Sequence, residues 1–362
     1  MLRQVALLFL KLGTLGFGGP AAHIAMMRQE VVERRRWLTE TEFLDLLGAA
    51  NLIPGPSSTE LAIHIGFRQC GWPGLVVAGA CFILPAACLV TLIAWAYVRF
   101  HALPQVAGLM YGIKPVVVAI VLQALWNLVR ASLKVSALRV VAVAAILMTA
   151  LGVQQILTLL ICGASMTAIR VPRSLPIVLI AGAVPASEAV TLGRLFWVFA
   201  KIGAVVFGSG YVLLAFLQAD LVTRLHWLNA TQLLDAVAVG QVTPGPVFTT
   251  ATFIGYLLAG LPGAATATLA IFLPGWLLVA FSGPLLPRLR RSAWASAFLD
   301  GVTAASIGLI AWVLVLLAKA AIVDALTIAI AWVCTLLLFR YRLNTAWLVL
   351  AGALLGLISR VR

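Results

Sequence analysis

Apolar residues run through this chain in long blocks. The blocks at 72–98 and 104–129 are rich in Ala, Leu and Val without period-2 alternation. Runs of about 20 such residues are long enough to cross a bilayer core as helices, and the missing alternation speaks against barrel strands. The pattern predicts an all-α polytopic membrane protein. Two interruptions break it in the same way. NLIPGPSSTE at 51–60 and QVTPGPVFTT at 241–250 each place two prolines around a glycine inside apolar sequence.

The breaks belong to a repeat. A shift of 190 residues sets FLKLG (9–13) on FAKIG (199–203), and WLTETEFLDLLGAANLIPGP (37–56) on WLNATQLLDAVAVGQVTPGP (227–246). Trp37, Leu38, Thr41, Leu44, Asp45, Pro54, Gly55 and Pro56 all recur in register. After one deletion, GWPG (71–74) meets GLPG (260–263) and ILP (83–85) meets FLP (272–274). The expected organisation is an N-terminal membrane repeat over 1–170, a connector over 171–192 and a C-terminal repeat over 193–362.

Basic residues alternate between the copies. Residues 23–42 hold Arg28, Arg34, Arg35 and Arg36, where 213–232 hold Arg224; PRLRR (287–291) is basic where the first copy offers Arg99. Since Lys and Arg collect on the cytoplasmic side, the two repeats are expected to have inverted topology. An odd number of crossings per repeat, about five, would produce it, and inverted repeats are a design of secondary transporters.

Thr39 with Glu42, and Asn229 with Gln232, fit capping boxes that start helices at equivalent sites. About 13 residues, or roughly 20 Å of helix, separate each start from its PGP, which is short of a core about 30 Å thick. A broken, re-entrant helix in each repeat follows. Gly55 and Gly245 allow the bend, while Pro54, Pro56, Pro244 and Pro246 stop one helix and suit the first position of the next. The free N–H groups of that next helix form an anion site. Ser57, Ser58, Thr59, Thr243, Thr249 and Thr250 would add hydroxyl donors, with Asn51 and Gln241 just before the breaks. Two tips entering from opposite faces would clamp a small anion.

Composition supports the membrane assignment: 63% of residues are hydrophobic, 10% are charged and the mean hydropathy is +1.10, against about 25% charged in soluble domains. The net charge of +14 reflects loop Lys and Arg, and with no compact basic domain no nucleic-acid partner is expected. The five scattered cysteines contain no C-x-x-C pair, so no metal and no cofactor are expected. No H-E-x-x-H or nucleophile–base pattern suggests an enzyme. The N-terminal MLRQVALLFLKLGTLGFGGP has the look of a signal peptide, but Lys11 interrupts it and a related segment recurs, so cleavage is not expected.

Ionisable residues inside apolar segments are functional candidates. Lys11 and Lys201 match across the repeats and would either neutralise a dianion or snorkel to an interface. Lys114, whose counterpart is Thr303, is the stronger candidate for substrate contact. Asp45 and Asp235 also match, and suit structural pairing or proton handling better than an anion site. Glu60, His64 and Arg68 share one helical face, with Thr250 in place of the glutamate in the second copy. They form either a self-satisfied polar stripe, the favoured account, or a proton path through Glu60 or His64.

The duplicated F-G-G/S start with its downstream PGP, as in GFGGP…NLIPGPSSTE and FGSG…QVTPGPVFTT, resembles the chromate ion transporter superfamily, in its long-chain, two-unit type. The resemblance covers essentially the whole chain. It implies export of chromate across the bacterial inner membrane, coupled to the proton gradient and conferring chromate resistance, and it adds Gly18 and Gly208 to the PGP residues as motif positions. Ser209-Gly210 depart from Gly19-Pro20. The implied partners are chromate or a similar tetrahedral oxyanion, protons and the lipid bilayer, with a homodimer left open. A sulfate carrier, another oxyanion carrier or a channel is the alternative, because sulfate has the same charge and nearly the same shape.

Overall fold

The computed structural model describes residues 1–100, 103–171, 189–207, 210–282, 292–341, 343 and 345–360. The connector is mostly outside that set, as are Gly208 and the basic run 287–291. The described residues are helical with no strand, and each repeat contributes seven α-helices. The first has α1 (Leu2–Leu15), α2 (Gly19–Arg28), α3 (Glu40–Ala50), α4 (Ser57–Phe100), α5 (Pro104–Ser132), α6 (Ser136–Ala150) and α7 (Gln155–Arg170). The second has α8 (Leu192–Val205), α9 (Val212–Leu217), α10 (Ala230–Val242), α11 (Thr250–Ser282), α12 (Ala293–Ala321), α13 (Ala325–Tyr341) and α14 (Thr345–Arg360).

The repeat reaches into the backbone. π-helical turns follow α2 at Gln29–Arg34 and α9 at Gln218–Arg224. Arg36 and His226, at matched positions, both have φ of 52°. Within α4 the chain reverses at Gly71 (φ 61°, ψ −147°), and within α11 it reverses at Gly260 (φ 60°, ψ −151°). These are left-handed conformations that glycine adopts without strain.

Four described helices are long and apolar enough to cross a membrane, two per repeat: Ser57–Phe100, Gln105–Ser132, Val247–Phe281 and Ala293–Ala321. Helices α6, α7, α13 and α14 are apolar but shorter. At about 1.5 Å per residue, the 14 residues of α1 give roughly 21 Å. The crossings are therefore less even than five equal spans.

Packing crosses between the repeats. Helix α5 lies on α14 and α13, and its counterpart α12 lies on α7 and α6. Small residues permit the approach: a methyl built on Gly112 would stand 1.9 Å from the Gly352 carbonyl oxygen, and one built on Gly301 2.5 Å from that of Cys162. Helices α4 and α11 pack against each other, while α1 and α8 each lie on the long helix of their own repeat.

Candidate functional site

Each PGP tip is the end of a hairpin. Thr39 Oγ1 accepts the Glu42 N–H while the Glu42 side chain accepts the Thr39 N–H, and Asn229 with Gln232 does the same. These boxes start α3 and α10, and the prolines stop them. Gly55 (φ 129°) and Gly245 (φ 91°) make the bends. In the first repeat the following arm returns to its starting side: Arg68 Nη2 lies 3.2 Å from Glu42 Oε1, and Gln69 Nε2 donates to the Trp37 carbonyl at 3.2 Å. The broken helix of the first repeat is a hairpin.

The two tips dock reciprocally. The Gly55 N–H donates to the Val206 carbonyl at 2.6 Å, and the Gly245 N–H donates to the Gly16 carbonyl at 2.9 Å. Gly16 and Val206 are themselves matched positions, at the ends of α1 and α8. Each tip thus closes on the first helix of the other repeat. Residues 53–60 and 243–250 are all buried, whereas Asn51 is exposed and Gln241 half-buried with no partner for its Nε2. Gly18 is exposed in a left-handed conformation ahead of α2.

The expected donors are distributed unequally. In the second repeat the hydroxyls of Thr243, Thr249 and Thr250 donate to the carbonyls of Val239, Pro246 and Val247 at 3.0, 2.8 and 2.8 Å. In the first repeat Ser57 and Ser58 sit at the buried helix start, and Thr59 Oγ1 is buried without a partner. Pro56 and Pro246 stand one position ahead of the expected one, capping the helices. The second helix opens with a 3-10 turn at Val247–Thr249.

Every matched lysine meets a carboxylate. Lys11 Nζ lies 2.8 Å from Glu30 Oε1, which also receives Arg34, while Oε2 receives Arg35. Lys201 pairs with Asp220, which also holds Arg224 at 3.1 Å. Glu30 and Asp220 are 190 residues apart, a register that could have revealed them as a shared feature. Lys114 Nζ lies 3.0 Å from Asp235 Oδ1, and the Tyr97 hydroxyl donates to Asp235 Oδ2 at 2.8 Å. The three line a cavity of about 360 Å³ together with Tyr111 and Thr231. Asp45, the counterpart of Asp235, is exposed. The self-satisfied stripe does not form: Arg68 turns to Glu42, and both Glu60 oxygens and His64 Nε2 are buried without partners.

Two helical repeats that meet at buried helix breaks, with ion pairs inside an apolar body, define a polytopic membrane transport protein. The chain belongs to the chromate transporter family, whose model, described as Chromate transporter, matches residues 3–183 and 193–357. A chromate transport protein of Cupriavidus metallidurans is 37% identical over 375 residues, covering 99% of this chain and 93% of that one. A probable chromate transport protein of Synechococcus elongatus is 32% identical over 376 residues, covering 99% and 95%. A chromate transport protein of Pseudomonas aeruginosa is 32% identical over 376 residues, covering 96% and 90%. No solved structure matches the chain.

Proposed function

We propose that this protein exports chromate from the bacterial cytoplasm across the inner membrane, coupled to protons, and so confers chromate resistance. The observation that carries the reading is the reciprocal docking of two buried PGP tips, each onto the end of the other repeat's first helix. A helix start at such a break offers N–H groups to an anion. Ser57, Ser58 and Thr59 line the first start, and in a separate cavity near the start of α10 Lys114 exchanges Asp235 for the oxyanion. The alternation of basic residues supports opposite orientation of the repeats, an arrangement that many alternating-access transporters use. An inside-negative potential favours the exit of a dianion by about 4.6 kcal/mol per 100 mV.

The test is uptake of radiolabelled chromate into inverted membrane vesicles, with sulfate as competitor and the pH gradient imposed or collapsed. Uptake that depends on the gradient, resists sulfate and is lost in Lys114→Ala is the expected result. Uptake indifferent to Lys114 and to the gradient overturns the proposed site and coupling, and preferential uptake of sulfate overturns the substrate.

A further inference from the structure

The fourth residue after each break differs between the repeats: Glu60 in the first, Thr250 in the second. Glu60 is fully buried, and neither of its carboxyl oxygens has a hydrogen-bond partner. Its Oε1 lies against the PGP tip. A methyl built on Gly55 would stand 2.0 Å from it, and one built on Gly275 of α11 3.0 Å from it. The repeat equivalent of Gly275 is Ala86. Its Cβ would lie 2.6 Å from a methyl built on Gly245, so a methyl fills beside the second tip the place that a carboxyl fills beside the first. The absence of a side chain at Gly275 is what makes the notch.

The charged and titratable groups on the elements packed against α4 are otherwise engaged or exposed. Lys11 of α1 is held by Glu30, and Arg3 is exposed. On α2, His23 Nε2 bonds the Gly16 carbonyl, and Arg28 is bound to Glu33 and Glu40. On α3, Glu40 and Glu42 are paired and Asp45 is exposed. Asp235 of α10 is held by Lys114, and Tyr256 of α11 lines an apolar cavity beside α4. On α4 itself His64 stands one turn further along. None is within hydrogen-bond distance of the Glu60 carboxyl.

We propose that Glu60 is a movable acid that gates the first tip. As the neutral acid it packs in the Gly55–Gly275 notch and leaves the helix start open to an oxyanion. As the carboxylate it swings onto the N–H groups of Ser57 and Ser58 and closes the same start, because two negative charges do not share one helix terminus. Each oxyanion bound is then accompanied by one proton, taken from solution onto Glu60. This gate rests on the oxyanion-transport reading above and adds to it the identity of the linked proton.

The experiment is binding of radiolabelled chromate to the purified full-length protein across a pH series, with wild type, Glu60→Gln and Gly275→Ala side by side. Chromate's own protonation is common to all three. Above the pH at which free Glu60 loses its proton, wild-type affinity should fall with rising pH about tenfold per unit more steeply than that of Glu60→Gln, the slope of one linked proton, so the series runs to alkaline pH. Gly275→Ala, which crowds the carboxyl out of its notch, should bind weakly at every pH. Parallel curves for wild type and Glu60→Gln, or wild-type behaviour in Gly275→Ala, overturn the gate alone. No chromate binding by any of the three overturns the transport reading and the gate with it.

Discussion

The hairpin around Pro54–Pro56 and the hairpin around Pro244–Pro246 share a capping box, a glycine bend and a docking bond to the other repeat, yet their polar atoms meet opposite fates. In the second hairpin, three threonine hydroxyls turn back onto nearby carbonyls, and Asp235 is paired with Lys114 and accepts the Tyr97 hydroxyl. In the first, Asp45 faces outward, while Thr59, Glu60 and His64 bury atoms with no partner. Buried polar atoms are costly to leave unpaired, and natural proteins keep few of them. Duplication supplied two copies of one scaffold. The second copy satisfies most of its polar atoms, Gln241 Nε2 apart, with help from Lys114 and Tyr97 of the first, and the first holds the unspent chemistry.

The sharpest way to break this comparison is to mutate the matched aspartates. Asp235→Ala leaves the half-buried Lys114 without its partner and should destabilise the protein by about 1–3 kcal/mol. Asp45→Ala, at an exposed site where a single ion pair or hydrogen bond is worth little, should cost under about 1 kcal/mol. Denaturation of the two purified variants in the same detergent measures both, and equal losses would remove the distinction.

A second prediction concerns the notch. Gly245→Ala forces a side chain into a left-handed conformation and against Ala86, at a cost of about 1–3 kcal/mol. Ala86→Gly should restore part of this, with a coupling energy of about 0.5–3 kcal/mol in a double-mutant cycle. Gly55→Ala meets Glu60 instead, so Ala86→Gly should give it no relief. A coupling of Gly55 to Ala86 would show that the two tips are not built differently.

The smallest effect lies outside the membrane-spanning helices. Asp324, in the turn before α13, accepts the Tyr111 hydroxyl at 2.5 Å and the Thr327 N–H at 2.9 Å. The Tyr111 bond, followed by the Thr327 N–H, holds its carboxyl below the usual carboxylate range. A lowered carboxyl contributes stability that is present above its unfolded value and lost as pH falls through its folded value. Asp324→Asn should therefore flatten the acid limb of thermal stability slightly and leave the neutral plateau nearly unchanged. An unchanged acid limb would count against this contribution.

The repeat, the capping boxes and the breaks were legible in the sequence because Trp, Asp and PGP recur in register, and such residues do not coincide by composition alone. The ion pairs at Glu30 and Asp220 were half legible. Their register is the same 190 residues, but the acid changes length and lies outside the aligned motifs. The stripe at Glu60, His64 and Arg68 misled, because helical spacing tells which residues share a face but not what a neighbouring arm presents. Glu42 on α3 captures Arg68, and nothing within α4 announces it. Tyr97 and Asp235 are 138 residues apart, and no local pattern joins them. The exchange of α5 and α12 between repeats is likewise silent, since every candidate partner helix is equally apolar.

That exchange has a consequence for how the protein is made. While the chain is still emerging from the ribosome, α6 and α7 are complete but the helix that covers them, α12, has yet to be synthesised. Helix α5 waits longer still, for α14 at the far end of the chain. The first half therefore enters the bilayer with its packing faces turned to lipid. Native assembly cannot proceed repeat by repeat, and truncation near the C-terminus should unseat a helix translated more than two hundred residues earlier.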